Sequence, residues 1–440
     1  MQSSSRRGRH GIGALAIGAV VALALSACTG AAAPAETIDV STELTTEPVT
    51  LTLAFTDDPP TQALVDGFMA EHPNVTIELQ QTPFSDYVKS IKLVMASDSP
   101  PDIAQYNPGA MRALIPGGLI LDLDPWREAY GWDDTFPQAS LQVLSSDAEA
   151  TTYGTGGLYA VPGALSVLGL YYNKDILGSA GVDMPLASLD GLTDAMDAVA
   201  SSGQRPISVA ALEAGSLHLW NAIMNGFGDT DAYRDWVYGV PGSTIETPAA
   251  AAATDILVDW IDRGFITEAA NAVSFGDGMA DFAAGNSAFN VNGNWAASSF
   301  EAELGDKVGF ALMPAESTSS PTVASGASVA YSISSKSENP NVAAAFLDYL
   351  ASESAAAIQF ETGFMPVSTT AEVQAEGVRG DIALAFSEVV EANGIVPFPD
   401  FAAPAMIDSI ITGLQGLISK QSTTDQFLGS LQQTWTEYHG

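Results

Sequence analysis

Between Val49 and Asn107 the chain alternates short apolar runs with amphipathic periods, and this order limits its possible folds more than any other feature. VTLTLAF (49–55) reads as a strand, TQALVDGFMAEHP (61–73) as a helix stopped by Pro73, and NVTIELQQ (74–81) as a strand. SDYVKSIKLVMASD (85–98) follows as a helix and PDIAQYN (101–107) as a third strand. Strands separated by helices pair in parallel through crossovers, so the run predicts βαβ units in an open α/β sheet. Such sheets bind ligands at the carboxyl ends of their strands. The loops that follow, TDDPP (56–60), TPFSDY (82–87) and YNPG (106–109), are the first candidate ligand loops, and they contain Asp57, Asp58, Tyr87, Tyr106 and Asn107.

Downstream, 158–177 is an apolar stretch punctuated by Pro162 and Gly163. The middle, 185–310, is mostly helical by pattern, with breaks at 201–206, 225–230 and 239–243. NSAFNVNGNWAAS (286–298) reads as a strand leading into a helix, 325–352 as strand, turn and helix, and 404–438 as helical. After the leader about 390 residues remain, more than one core usually supports, so two lobes are expected.

The leader is itself legible. Arg6, Arg7 and Arg9 precede an uncharged run from Gly11 to Leu25, and the single cysteine of the chain, Cys28, stands just behind it. That is the layout of an export signal, with an apolar run too short for a membrane span. A cysteine after Leu25, Ser26 and Ala27 resembles a bacterial lipobox, which implies a signal peptide over 1–27 and a diacylglycerol anchor on Cys28. The alternative is a simple cleaved signal with an incidental cysteine. Residues 28–47, rich in small and acidic residues, read as a flexible tether. Removing Arg6, Arg7 and Arg9 with the leader leaves 12 basic side chains against 52 acidic ones, a formal charge of −40. Nucleic acid is excluded as a partner, and an anionic ligand lacks the basic residues it needs.

Six segments carry a resemblance: HPNVTIE, PPDIAQYNPGAMRALIPGGLILDLD, GLYAVPGALSVLGLYYNKDIL, FAAGNSAFNVNGNWAAS, SGASVAYSISSKSENPNVAAAFLDYL and GFMPVS. In these, and in their order, the chain resembles the extracellular solute-binding proteins that serve ABC importers of sugars and oligosaccharides, the maltose-binding-protein-like group. The resemblance implies a periplasmic-binding-protein-like α/β fold in which two lobes, joined by hinge crossings near 161–167, 313–325 and 364–367, enclose a ligand cleft. The N-terminal lobe would take 48–163 and 314–363, the C-terminal lobe 164–313 and 364–440. Implied with it is a non-catalytic, monomeric receptor, lipid-anchored on the extracytoplasmic face of the cell membrane. It would deliver a neutral sugar, an oligosaccharide, to ABC permease subunits without cofactor or metal.

A sugar presents apolar C–H faces and a rim of hydroxyls, so its site needs aromatic surface and hydrogen-bonding groups; a hydroxyl desolvated without a partner costs about 1–3 kcal/mol. By the resemblance, Trp295 stands where the family places a stacking aromatic, with a core tryptophan as the alternative. Asn290, Asn292 and Asn294 alternate in a way that suggests a polar strand face beside it, and Gly293 is expected to let the backbone turn. Tyr106 and Asn107 end a predicted strand where the family has ligand contacts, although Tyr106 suits packing equally. Asp57 and Asp58 can accept hydroxyl hydrogen bonds or simply be solvated. Ser166 stands at a hinge position where the maltose-binding protein has a carboxylate, which argues against maltodextrin as the ligand. Trp220, with His218 nearby, is either a cleft wall or helix core. Phe364 and Met365, and the Ser325 to Ser328 stretch with Ser328, lie at crossings that face the cleft in the family.

Competing readings are a binding protein for another small solute, an extracytoplasmic glycosidase, and an anchored adhesion or chaperone module. Against enzymes stands the absence of G-x-S-x-G and H-E-x-x-H, with only His72, His218 and His439 beyond the leader. DTDAYRD (229–235) lacks the glycine and glutamate of an EF-hand loop.

Overall fold

The predicted strand and helix alternation builds one half of the first sheet. In this computed structural model, which describes residues 39–56, 60–109, 111–317, 320–367 and 375–440, the sheet order is Val75–Gln81, Val49–Phe55, Ile103–Tyr106, Ser328–Ile333 and Val161–Leu165. The first three strands are parallel, with Val49 opposite Val75 and Leu53 opposite Ile103, and the helices Pro60–Glu71 and Phe84–Ala96 make the crossovers. In the first helix Leu64, Val65 and Phe68 recur at helical spacing and are buried, and the helix ends two residues before Pro73. Ser328–Ile333 returns late in the sequence and pairs antiparallel with strands on both sides, so the sheet is mixed. One expectation is corrected at the N-terminal edge: residues 40–47, read as tether, are held on this lobe. Val40 and Leu44 pack on its core, the Ser41 amide donates to Asn341, and the Asn74 side chain donates to the carbonyls of Thr45 and Glu47.

The second sheet has the order Val308–Ala311, Leu168–Asn173, Ser287–Gly293 and Arg205–Ser208. Period two decides its packing. Leu168 and Leu170 join a core with Trp220, Trp236, Trp260 and the C-terminal helices, whereas Tyr171 points the other way and packs edge-on against Phe300 and Phe310. That second face is continuous with the core of the first sheet, so apolar packing does not stop at the lobe boundary. Val40–Gly440 accordingly forms one compact unit.

The chain leaves the first sheet for the second at Ser166 and Val167. It returns through Ala324–Ser325, and a third passage runs past Met365, which exchanges backbone hydrogen bonds with Leu165 at 2.8 and 3.0 Å. These segments change sheets, so regular ladders cannot satisfy all their backbone groups; side chains do. Asn294, fully buried, accepts from the Val167 amide at 3.0 Å and donates to the carbonyls of Leu165 (3.2 Å) and Gly363 (2.9 Å). Gln359 donates to the carbonyls of Gly163 and Leu350 and accepts from the Val367 amide. Replacing Asn294 leaves buried backbone groups unpaired at about 1–3 kcal/mol each. Asn294→Ala is therefore expected to lower stability by about 2–4 kcal/mol in denaturant unfolding, and Asn294→Asp, which sets a carboxylate against two carbonyls, by at least as much. Near-native stability in both variants would show that the crossings hold without this amide.

Candidate ligand site at the lobe junction

Ser287–Gly293 is buried along its whole length and divides by period two: Phe289 and Val291 enter the second core, and Asn290 and Asn292 take the opposite face. Asn292 donates to Asn290 at 3.3 Å, Asn290 donates to the Ser208 carbonyl, and the Gly293 amide donates to Asn292. A cavity of about 10 Å³, room for one water, is lined by both asparagines with Ser208, Phe275 and Met279. Asn294 departs from the expected polar wall, because its amide is turned into the hinge. Gly293 also differs from expectation. Its φ of −85° requires no glycine; the indole of Trp295 lies where a Cβ would be, and close approach is what excludes a side chain. Trp295 is half-buried, between the two cores. Its ring meets His218 (centroids 5.4 Å apart) and Phe398 (6.2 Å), and His218 also meets Phe275 (5.5 Å). Burial in this aromatic cage pushes the His218 pKa down to about 4, so the imidazole is neutral at ordinary pH.

Asn107, at the end of the third parallel strand, hydrogen-bonds Asp400, a buried carboxyl on the short turn Pro399–Ala402. Desolvation raises the Asp400 pKa to about 7 against the opposing pull of its own backbone N–H and of Asn107. Gly109 is pressed against the same turn, where a Cβ would stand 2.5 Å from the Asp400 carbonyl oxygen. Arg112, wholly buried, fixes the turn: its guanidinium donates to the carbonyls of Phe401 (2.9 Å) and Ala402 (2.6 Å) on one side and of Ala150 (2.6 Å) and Thr151 (3.1 Å) on the other. It also lies over the Tyr153 ring.

Several expected contacts are spent on packing, which corrects their assignment to the cleft. Tyr106 donates to Tyr153, which donates to the Pro108 carbonyl. Tyr87 is on a helix rather than in a loop, with its hydroxyl bonded to the carbonyls of Gln105 and Ala54 beneath the sheet. Trp220 is core, its indole N–H donating to Thr254 and its ring edge-on to Phe427. Phe364 is fully buried in the first core. Ser166 is bonded in both directions to the Ala327 backbone at the hinge. The Ser328 backbone stands opposite Leu165 at the start of its strand in the first sheet, which leaves its assignment to the cleft unchanged. Asp57, Asp58 and Cys28 lie outside the described residues. The junction thus collects Asn107, Asn290, Asn292 and Trp295, brings in His218, which sequence reasoning named only as a neighbour of Trp220, and adds Asp400 and Phe398, which it passed over. The PFPDF stretch (397–401), one acid among aromatics and prolines, was the available signal. Among the described residues no three His, Cys, Asp or Glu side chains converge on a metal-sized site, and no helix is long and apolar enough to cross a membrane.

This two-sheet geometry meets its counterpart in comparisons with known proteins. Residues 54–357 match the family model of the bacterial extracellular solute-binding protein. The chain belongs to that family. Its relatives include the multiple sugar-binding protein of Streptococcus mutans, 21% identical over 323 residues (72% of each chain), and the maltodextrin-binding protein MdxE of Bacillus subtilis, 23% identical over 356 residues (78% of each). Among solved structures, a chitin oligosaccharide binding protein superposes with a TM-score of 0.73 at 22% identity, covering 89% of this chain and 99% of its own. The fold is therefore that of the periplasmic-binding-protein-like carriers, and as a bacterial extracellular solute-binding protein the chain works outside the cytoplasm and is no enzyme.

The raised pKa of Asp400 gives this solute-binding protein a defined pH response. The native state keeps the proton to about pH 7, whereas the unfolded chain sheds it near pH 4, so stability falls as pH rises between those values. Asp400→Asn retains a partner for Asn107 without the titration. The variant is expected to match the wild type near pH 4 and exceed it at pH 8 by up to about 4 kcal/mol, at roughly 1.36 kcal/mol per pKa unit. Parallel stability curves for the two proteins from pH 4 to 8 would refute the assignment.

Proposed function

We propose that this chain captures a neutral sugar, an oligosaccharide, between its lobes and delivers it to the membrane subunits of an ABC importer. The observation that carries the reading is Trp295. Its half-buried indole covers Gly293 at the end of a strand of the second sheet whose preceding residues Asn290 and Asn292 carry buried, mutually bonded amides. An aromatic face flanked by neutral hydrogen-bonding groups suits a pyranose, whose C–H face stacks and whose hydroxyls both donate and accept. Two relatives are named for sugar and maltodextrin binding and one structural neighbour for chitin oligosaccharide, which supports the ligand class. Asn107 would reach the ligand from the first lobe, joined by Asp57 and Asp58 in the loop before Pro60. The lobe boundaries proposed are 48–163 with 314–363 and 164–313 with 364–440. Export by residues 1–27, lipidation at Cys28 and action as a monomer complete the reading, and keep the receptor beside its permease.

The test is a thermal-shift screen of maltotriose, raffinose, chitotriose and xylotriose, in which a ligand at 100 times its Kd adds about 2.7 kcal/mol of stability. Trp295→Ala is then expected to weaken the best ligand by about 2–4 kcal/mol in calorimetry while the ligand-free melting temperature stays near that of the wild type. A panel of peptides and polyamines that shifts the melt where no sugar does would overturn the sugar reading. A collapsed melt in Trp295→Ala would move the site away from this ring.

A further inference from the structure

Among the described residues at the junction, His218 is a side chain whose chemistry the fold leaves unfinished. It stands in the first turn of the helix Gly215–Gly226, as its one half-buried member among residues that are otherwise all buried, and its ring is held by Phe275, Trp295 and Phe398. Three aromatic neighbours would suit a phenylalanine here. Instead the position carries an imidazole whose Nδ1 is buried and has no hydrogen-bond partner among the described residues. An unpaired buried nitrogen costs about 1–3 kcal/mol, and nothing in the packing recovers it. The neighbouring polar groups do not reach it: Asn290 and Asn292 bond each other and local backbone, and Asp400 bonds Asn107. Of the rings around it, Phe398 is buried while Phe275 and Trp295 are half-buried, and Trp295 is the one offered above as the stacking surface.

We infer that His218 is a specificity-determining ligand contact, whose ring nitrogen pairs with a hydroxyl of the sugar lying against Trp295; this rests on the sugar-capture reading above. One residue supplies the face and its neighbour reads a hydroxyl at the edge of that face. A neutral imidazole presents either an N–H or a lone pair, and a hydroxyl complements both. The contact discriminates because a sugar lacking that hydroxyl leaves the nitrogen unpaired in the complex.

The experiment uses whichever trisaccharide of the four-sugar panel gives the largest shift, together with its monodeoxy derivatives, on the full chain and on His218→Phe. The variant is expected to keep or raise the ligand-free melting temperature, since a phenyl ring fits the cage without an orphan nitrogen, and to bind the sugar about tenfold or more weakly. One deoxy derivative should bind the wild type comparably weakly and lose no further affinity on the variant. Unchanged affinity in His218→Phe, or additive losses for every deoxy derivative, overturns the inference. If the phenylalanine variant melts low, His218→Asn decides: affinity above that of the phenylalanine variant supports a polar contact, and equal loss in both refutes it. Failure of every panel sugar to bind the wild type is a different result, which removes the sugar reading itself.

Discussion

The amide of Asn294 is the contact on which the relation between the two sheets depends. One side chain satisfies the backbone of two different crossings, accepting from Val167 and donating to Leu165 and Gly363. A crossing segment belongs to neither sheet, so its N–H and C=O groups lie buried without a ladder, and a short amide that both donates and accepts answers that need. The residue after it is Trp295. The ring at the junction is therefore positioned by the same tight turn, Asn294–Ala296, that ties the crossings together. This adjacency sets the geometry of the crossings and that of the ring together.

Charge plays a smaller part than the composition suggests. The chain has a formal charge of −37, yet its described ion pairs, such as Arg263 with Asp259 and Lys420 with Asp262, are surface contacts that add little stability. Among the described residues at the junction, Arg112 and Asp400 are each handled by neutral partners. Arg112 sits on four backbone carbonyls and an aromatic ring, and Asp400 is met by an amide in a site dry enough to hold its proton toward pH 7. With His218 neutral as well, the described residues of the junction present hydrogen-bonding groups of little net charge inside a strongly acidic molecule. Fields of that kind favour shape and hydroxyl pattern over ionic attraction as the basis of recognition.

How much of this was legible follows from the range of each signal. The parallel strands 49–55, 75–81 and 103–106 were readable because period and breakers are local, and Pro73 ends a helix wherever it folds. That Trp295 follows the end of a strand was readable because a strand pattern, a glycine and a tryptophan stand side by side. Tyr87, Trp220 and Phe364 were not, since an aromatic has the same local pattern whether its ring enters a core or a cleft. The three alternating asparagines looked alike, and two line the sheet face while the third, past the strand end, turns into the hinge.

The sequence by itself determined the alternating α/β architecture and the family resemblance, both carried by neighbouring residues and their order. Only the tertiary structure decided that Asn294 ties the hinge, that Gly293 is bare because an indole covers it, and that Asp400 and His218 stand at the junction. Those outcomes depend on which groups separated by up to hundreds of positions are brought together, and on how much water remains around them; neither quantity is written in any local stretch of the chain.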